Sequence, residues 1–377
     1  MPEIISYLTK IRFGAGAILD LREELESLGI RKPLVVTDAG LIAVGLLDEV
    51  IRKAGLPENV AVFSETPENP TEEAAEAALE QYRAAEADGI IALGGGSSID
   101  LAKGLCLLTT HEAPLEQYAA IYGGVAKVGM DLAPLVAVPT TAGTGSEVGR
   151  ATLITLRNGR KLGFLSPHLI PKVAICDPEL TVKLPSGLTA ATGLDAISHC
   201  IETFLSPKKN PVAEAIALDG LTRAWAWLPR AYENGANLEA RNEMMMAALQ
   251  GALAFQKGLG AIHSMSHALG GMKGHRLHHG TLNAVLLPTV LRFNAPECVE
   301  KYGRIRNAIG VSEDADLAET FAGFNRMLGL PATLAAMGVD DAVIPDAAQW
   351  SYEDHSTATN PRAALPEDFA AMLRETM

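Results

Sequence analysis

The order of apolar and polar positions divides the chain into an alternating first half and a helical second half. In the first half, short apolar runs rich in β-branched residues alternate with segments of helical periodicity. The apolar runs predict strands at 32–40, 59–65, 89–96, 134–147, 151–156 and 172–178. Helical periodicity covers 41–54, 71–87 and 98–110. Strands that alternate with helices in this way predict a parallel, doubly wound sheet.

After about Pro185 the spacing of apolar residues becomes helical almost throughout, and β-branched runs become rare. The final segment, "ALPEDFAAMLRETM", predicts a terminal helix. Proline, serine and glycine in "LPSGL" (184–188) are typical of a domain boundary. We therefore predict an α/β domain over residues 1–185 and an all-α domain over residues 186–377.

The composition of the chain restricts the classes of molecule that are expected to bind to it. The chain is 48% apolar, which is enough for large cores, and its formal net charge is −14. An acidic chain disfavours nucleic acid or an anionic membrane surface as a partner. No apolar run reaches the roughly 18 residues that span a bilayer, and the N-terminus has no signal-peptide pattern. Four widely spread cysteines without a CxxC pair favour reduced thiols and a cytoplasmic location.

A glycine-rich segment, "GGGSSID" (94–100), follows a predicted strand and opens a predicted helix. Glycines let the backbone approach a ligand closely, and the free N–H groups at a helix start favour a phosphate. A tight strand–helix turn would have the same composition, so the loop by itself is weak evidence.

Two further segments strengthen the prediction of a nucleotide site. Asp38 ends the first predicted strand, where an acid can accept hydrogen bonds from ribose hydroxyls and repel a 2′-phosphate. The loop "PTTAGTGSE" (139–147) stands at the carboxyl end of another strand, where open α/β sheets bind ligands. Together the three segments predict a dinucleotide, with NAD preferred over NADP.

Histidines are concentrated in the second half of the chain. Five of the nine lie in one short segment, and these are His263, His267, His275, His278 and His279. His263 and His267 are four residues apart, so they share a helix face.

Upstream, "GLDAISHCIE" (193–202) places Asp195 four residues before His199. Such a pair also occurs on ordinary helix surfaces. Three neutral imidazoles and one carboxylate would bind a divalent ion and leave room for a substrate oxygen. Iron(II) and zinc both fit this donor set.

These segments resemble the iron-containing (group III) alcohol dehydrogenases. "GGGSSIDLAK", "PTTAGTGSEV", "GLDAISHCIE", "GAIHSMSHALGG" and "HHGTLNAVLLP" follow one another in the order and approximate spacing of that family, over nearly the whole chain. The resemblance implies an α/β domain with a Rossmann-like parallel sheet followed by an all-α domain, an architecture also found in dehydroquinate synthases. It further implies a homodimer, formed by N-terminal strands such as residues 3–13.

Carried over position by position, the resemblance implies a set of site residues. The metal ligands would be Asp195, His199, His263 and His279. His279 is preferred to His278 because the family's ligand immediately precedes a glycine. His267 would lie near the substrate and the nicotinamide, either relaying a proton or orienting its neighbours. The cofactor would be bound by Asp38, Asn69, Gly95, Gly96, Ser97, Ser98, Thr140, Thr141, Thr144, Ser146 and Lys161.

The implied reaction is the reversible oxidation of an alcohol to an aldehyde or ketone. Hydride passes to C4 of NAD, and iron(II) or zinc acts as the Lewis acid. Departures from the family pattern lie near the expected substrate pocket, for which Gly149 and Phe255 are candidates, so the small-molecule substrate stays open.

Three other functions remain in view. The first is a hydroxyacid or glycerol-type dehydrogenase, in which Lys257 would pair with a substrate carboxylate, although a solvated or structural role is the more common one for such a lysine. The second is a dehydroquinate-synthase-like lyase, which needs basic residues such as Lys257 and Lys273 to hold an anionic substrate. The third is a non-catalytic binding protein.

Overall fold

The structure is a computed structural model that describes residues 9–272 and 277–377. Its chain divides into two compact units. The sheet unit contains the described residues up to 141 together with 146–184, and the helical unit contains 142–145 and the described residues from 185 onward. Residues 3–8 of the predicted dimer strand, and Lys273 and His275, lie outside the described residues.

A six-stranded sheet forms the centre of the sheet unit. Its strands are β1 (Lys10–Phe13), β2 (Pro33–Val36), β3 (Ala61–Phe63), β4 (Gly89–Gly94), β5 (Leu135–Pro139) and β8 (Val173–Cys176). They are ordered β1-β8-β5-β4-β2-β3, and every neighbouring pair is parallel. The predicted fold class, a parallel doubly wound sheet, is confirmed.

Side chains of the central strands alternate between two apolar cores. On β4, Ile90 and Ala92 belong to one core, whereas Ile91 and Leu93 belong to the other. This alternation follows from the two-residue period of a strand. Because both faces are buried, the strands are continuous apolar runs, as expected for a parallel sheet covered by helices.

Five α-helices cover this sheet. They are α1 (Leu21–Ser27), α2 (Ala39–Ala43), α3 (Leu46–Lys53), α4 (Glu72–Ala84) and α5 (Gly96–Thr110). The single helix predicted over 41–54 was wrong, because the chain breaks between α2 and α3 at Gly45. Gly45 has φ +70°, a left-handed conformation that ends the helical path and that glycine adopts without strain.

The strand predicted at 151–156 does not join the main sheet. It forms β6 (Ala151–Thr155), which pairs antiparallel with β7 (Lys161–Leu165). β7 was not predicted, although the Asn158-Gly159 dipeptide between the two strands is a strong hairpin signal. Gly159 has φ +88°, the conformation that such a turn requires.

Nine α-helices of the described residues build the helical unit. They are α6 (Ser186–Leu205), α7 (Pro211–Glu233), α8 (Leu238–Ala254), α9 (Ala261–Gly270), α10 (His279–Asn294), α11 (Val299–Ile309), α12 (Leu317–Met327), α13 (Ile344–Glu353) and α14 (Pro366–Glu375). Helix α6 is buried along most of its length and packs against α7, α8 and α10, while α9 packs against α10 and α13. In the part of the chain that the structure describes, no helix combines the length and apolar character needed to cross a membrane.

Candidate active site

One carboxylate oxygen is the centre of a histidine cluster in the helical unit. Asp195 and His199 lie on the same face of α6, and both are almost fully buried. Oδ1 of Asp195 is 3.8 Å from Nε2 of His199, 3.7 Å from Nε2 of His263 and 3.5 Å from Nε2 of His279. All four residues predicted as metal ligands are therefore brought together, from α6, α9 and α10. We call them the Asp195 cluster.

The spacing in the Asp195 cluster suits a shared ion better than hydrogen bonds. Donor atoms bonded to one tetrahedral ion at about 2.0–2.2 Å lie about 3.3–3.6 Å apart. His278, the alternative to His279, has a different role, because its side chain accepts the N–H of Thr281 and caps the start of α10.

Polar residues behind the Asp195 cluster orient its imidazoles. Nδ1 of His263 donates to Glu202 Oε2 at 2.6 Å, which leaves Nε2 directed at Asp195. Ser266 Oγ lies 3.3 Å from Nδ1 of His279. Carboxylate partners of this kind fix the tautomer and orientation of metal-binding histidines.

Asn283 is a second buried partner of the Asp195 cluster. Its Nδ2 donates to Asp195 Oδ1 at 2.7 Å and lies 3.3 Å from Nε2 of His263 and 3.2 Å from Nε2 of His279. Its Oδ1 is buried without a partner among the described residues. Asn283 therefore presents its amide nitrogen to the Asp195 cluster and fixes the position of Asp195 Oδ1.

Sequence reasoning missed both Glu202 and Asn283. Glu202 had a visible signal, because residues 195, 199 and 202 recur at the spacing of one helix face. Asn283 had none, because an asparagine in an apolar helix is not by itself a functional signal.

Charge within the Asp195 cluster is set by burial and by neighbours. Burial raises the pKa of the Asp195 carboxyl, but the surrounding imidazoles overcome it and hold the pKa below its ordinary value. Burial, with help from His263 and His267, lowers the pKa of His199 to about 4. For His263, burial also lowers the pKa, yet Asp195 and Glu202 on either side raise it to about 9.

His267 lies beside the Asp195 cluster but is directed elsewhere. Its ring centroid is 5.5 Å from that of His279 and 5.8 Å from that of His263. Its Nδ1 donates to Asp354 Oδ2 at 3.1 Å. Asp354 was not predicted, because it lies 87 residues further along the chain and follows an unremarkable helix. Burial lowers the pKa of His267 below its ordinary value, which favours the neutral imidazole.

In the sheet unit, the predicted glycine loop connects β4 to α5. Gly95 is the N-cap of α5 and supplies no side-chain cap, so the N–H groups of the first turn are available to a ligand. A Cβ at Gly95 would lie 3.2 Å from Thr141, and Thr140 N–H donates to Gly94 O at 3.0 Å. The glycine and threonine loops therefore lie side by side.

Other predicted cofactor residues have internal partners. Asp38 caps α2 by accepting the Leu41 N–H at 3.0 Å through Oδ1. Lys161 Nζ donates to Asn69 Oδ1 at 2.9 Å, so these two positions contact each other. Ser97 Oγ donates to the carbonyl of Glu68, whereas Ser98 Oγ is buried without a partner in the described residues.

The threonine loop itself divides between the units. Thr144 belongs to the helical unit, and Ser146 belongs to the sheet unit. There Ser146 Oγ donates to Asp100 Oδ1 at 2.5 Å and accepts from the buried ammonium of Lys103 at 2.9 Å.

Lys103 completes a buried charged group with Asp100 and Glu147, which we call the Lys103 cluster. Its Nζ also donates to the carbonyls of Gly149 and Ala151, at 2.8 Å each. The backbone at Gly149, a predicted substrate residue, is thereby fixed in the sheet unit.

Phe255, the other predicted substrate residue, packs against the Asp195 cluster. Its ring meets that of His199 edge-on, with the centroids 5.3 Å apart. Lys257 has a structural role instead. Its buried ammonium contacts the carbonyls of Thr203, Phe204 and Ser206 and pairs with Glu214, all within 3.1 Å. Its donors are used up at the C-terminus of α6 and are not available to a substrate carboxylate.

Comparison with known proteins places these features in one family. A family model described as iron-containing alcohol dehydrogenase matches residues 9–178, and that of the C-terminal part of the Fe-containing alcohol dehydrogenase family matches residues 189–377. The 4-hydroxybutyrate dehydrogenase of Cupriavidus necator is 53% identical, over 99% of both chains. The NAD-dependent methanol dehydrogenase of Bacillus methanolicus is 36% identical, over 97% of both.

Similarity extends to the three-dimensional structure. The crystal structure of a 1,3-propanediol oxidoreductase superposes with a TM-score of 0.90, at 35% identity and with both chains fully covered. These relatives are dehydrogenases of alcohols, and the family uses NAD and a metal ion. This favours an oxidoreductase over the lyase and the binding protein. The chain belongs to the iron-containing alcohol dehydrogenase family and is an alcohol dehydrogenase.

Proposed function

We propose that this enzyme interconverts a short ω-hydroxycarboxylate and its aldehyde with NAD(H), using an iron(II) ion held by Asp195, His199, His263 and His279. The observation that supports the ion site most strongly is the convergence of three Nε2 atoms on Oδ1 of Asp195 at 3.5–3.8 Å. The donor set, three imidazoles and one carboxylate, also suits zinc.

When bound, the ion supplies Lewis-acid polarisation of the substrate oxygen, and the nicotinamide accepts the hydride. The chain's own residues prepare that chemistry. Asp195 stays ionised, and Glu202 holds the Nδ1 proton of His263 so that its Nε2 faces the centre. Nδ2 of Asn283 donates to Asp195 and fixes the rotamer of the carboxylate.

His267 is the proposed proton acceptor. Its Nδ1–H is held by Asp354, so Nε2 carries the lone pair, and among the described residues no hydrogen bond reaches that nitrogen. A neutral imidazole with a free Nε2 can take up a proton as an alcohol is oxidised and release it to water.

The substrate class follows from the 53% identity with a 4-hydroxybutyrate dehydrogenase over the full length of both chains. Polyols and simple alcohols are the rivals, since relatives at 36–37% identity are methanol and 1,3-propanediol dehydrogenases. Because Lys257 is fully engaged at the end of α6, the carboxylate partner has to be another residue.

A substrate screen tests the proposal. The protein is reconstituted separately with iron(II) and zinc, and NADH formation is followed with 4-hydroxybutyrate, 1,4-butanediol, 1-butanol and 1,3-propanediol. We expect kcat/KM for 4-hydroxybutyrate to exceed that for 1,4-butanediol, which differs only at the far end, by about tenfold or more. Equal values for the two would refute the carboxylate preference.

The ion site is tested by His263→Ala, with His168→Ala of the sheet unit as the matched control. We expect the first variant to lose both bound metal and turnover, and the control to keep them. Normal metal content in His263→Ala would refute the ligand set.

Cofactor preference is tested at Asp38. If its carboxylate repels the 2′-phosphate of NADP, Asp38→Gly raises kcat/KM for NADP relative to NAD. Asp38 also caps α2, and glycine removes that side-chain cap. Asp38→Asn removes the same charge but keeps the cap, and it serves as a second variant. Equal use of NAD and NADP by the unmodified enzyme would contradict the prediction.

A homodimer and a cytoplasmic location remain predictions of the sequence.

A further inference from the structure

A second group of metal-binding side chains lies next to the Asp195 cluster, and the proposed reaction needs only part of it. It consists of His267 on α9 and of Asp354 and His355, which follow α13. One donor atom from each of the three lies within 4.8 Å of the others. We call these residues the Asp354 cluster.

Both imidazoles of the Asp354 cluster turn Nδ1 toward the same carboxylate oxygen. Nδ1 of His267 is 3.1 Å and Nδ1 of His355 is 3.6 Å from Asp354 Oδ2. The other oxygen, Oδ1, accepts the Ser356 N–H at 2.8 Å, which fixes the carboxylate with Oδ2 facing the histidines. The site is therefore held by backbone and by packing before any ligand arrives.

Hydrogen bonding accounts for only one of these two imidazoles. The His355 Nδ1–Oδ2 distance of 3.6 Å is too long for a hydrogen bond, and neither ring nitrogen of His355 has a hydrogen-bond partner among the described residues. Two donors bonded to one tetrahedral zinc ion at about 2.0–2.1 Å lie about 3.3 Å apart. The two observed distances fall on either side of that value, and the longer one lies within the 3.5–3.8 Å range of the Asp195 cluster.

The Asp354 cluster is accessible from solvent, and its donor atoms suit a particular class of ion. His267 and Asp354 are largely buried, whereas the side chain of His355 is 23% exposed, so the cluster is open to solvent on that side. Two nitrogens and one carboxylate oxygen suit zinc-type divalent ions rather than calcium or magnesium.

We propose that His267, Asp354 and His355 form a second binding site for a zinc-type divalent cation. The ion replaces the Nδ1 proton of His267, which is released to solvent, and water completes its shell. If His267 is the proton acceptor, as the proposed function requires, occupancy of this site slows turnover, and excess zinc becomes an inhibitor.

The experiment counts ions on the intact protein. Wild type, His355→Ala and the control His168→Ala are dialysed against increasing Zn²⁺, and bound metal per chain is measured by mass spectrometry. A parallel Co²⁺ titration follows the visible absorption of tetrahedral cobalt. We expect wild type and control to bind one ion more per chain than His355→Ala, and the Co²⁺ spectrum of His355→Ala to lose the second component.

Equal stoichiometry and equal spectra in wild type and His355→Ala would overturn the proposal. Asp354→Asn serves as a second variant and is expected to weaken the additional ion about tenfold or more. His263→Ala separates this result from the proposed function, because it removes the first ion and leaves the second. If the Asp195 cluster binds no metal, His263→Ala will bind as many ions as wild type, whereas the difference between wild type and His355→Ala will be unchanged.

Discussion

Two groups of buried charged residues, one in each unit, show how burial of charge can serve different ends. In the Lys103 cluster of the sheet unit, the ammonium contacts Ser146 and the carbonyls of Gly149 and Ala151 at 2.8–2.9 Å. In the Asp195 cluster of the helical unit, three imidazole nitrogens stop 3.5–3.8 Å from one oxygen. The first group is closed by its own hydrogen bonds, and the second has donors that converge without bonding one another.

The pKa of a buried carboxyl group also differs between the two clusters. Asp195 is surrounded by imidazoles that keep its pKa below the ordinary value, whereas burial raises the pKa of Glu147 to about 7 in the sheet unit. Burial of charge therefore does not identify a metal centre by itself. The spacing of the donor atoms and the sign of their neighbours do, and the following predictions test this distinction.

The largest effect on stability is expected for Lys103→Met. Removing the ammonium takes the donor away from Ser146 and from the carbonyls of Gly149 and Ala151 and leaves buried Asp100 without its counter-charge, which costs about 3–5 kcal/mol of unfolding free energy. Metal content should stay normal, because all four proposed ligands lie in the helical unit.

Lys103→Met destabilises the sheet unit, whereas all three tryptophans lie in the helical unit. Circular dichroism reports on both units. In this variant the urea transition followed by circular dichroism should therefore begin at a lower urea concentration than the one followed by tryptophan fluorescence. The control is Lys53→Met. The ammonium of Lys53 is 32% exposed and pairs with Glu49 and Glu179. We therefore expect its replacement to lower the free energy of unfolding by about 0–1 kcal/mol. Loss of metal in Lys103→Met would break the comparison between the clusters.

Glu202→Gln tests the opposite side of the comparison. Glutamine carries no charge and has one acceptor oxygen for the two donors that Glu202 serves, the Nδ1–H of His263 and the N–H of Ile262, so the imidazole becomes a weaker ligand. We expect metal affinity to fall about 10–100-fold. Affinity is measured by competition with a chromophoric chelator.

Glu239→Gln is the control for that variant, because it removes an exposed carboxylate at the start of α8 in the same unit. Unchanged metal affinity in Glu202→Gln would mean that Glu202 only fills space behind His263.

Sequence alone predicted the sheet, the helical second half and the four residues of the Asp195 cluster. The predictions of the sheet and of the helical second half are confirmed, because strand periodicity and helix spacing are local. The four residues of the Asp195 cluster lie close together in the structure, and their role as metal ligands stays a prediction. Glu202 could have been predicted from the same helix face as Asp195 and His199. Asp354 could not, since its contact with His267 depends on how α13 packs against α9.

The role of Lys257 was also beyond the sequence. A lysine next to a predicted active-site segment is compatible with substrate binding, and only the structure shows its ammonium at the carbonyls that end α6. The pairing of β6 with β7 outside the main sheet is a similar case, because periodicity predicts a strand but not its partner.

The smallest effect is expected for Glu147→Gln, and it appears as a dependence on pH. Burial raises the pKa of the folded Glu147 carboxyl from 4.5 to about 7, against the opposing influence of its own backbone amide and of Lys103. Between these two values the unfolded chain ionises while the folded chain does not, so wild type loses stability as pH rises from about 4.5 to 7. Above pH 7 the loss is complete, and below about pH 4 it is absent.

Glutamine lacks this ionisation, so the unfolding free energy of Glu147→Gln relative to wild type should increase by about 1–3 kcal/mol between pH 4 and pH 8. Urea unfolding followed by circular dichroism at both pH values measures it, with pH 4 as the internal control. If the difference in unfolding free energy between Glu147→Gln and wild type is the same at both pH values, Glu147 is ionised in the folded protein, as Asp195 is. In a Lys103→Met background the increase should be larger, because the ammonium that favours the carboxylate is gone. That dependence on a neighbour would show that the Lys103 cluster is stabilised by its internal partners and has no need of an external ion.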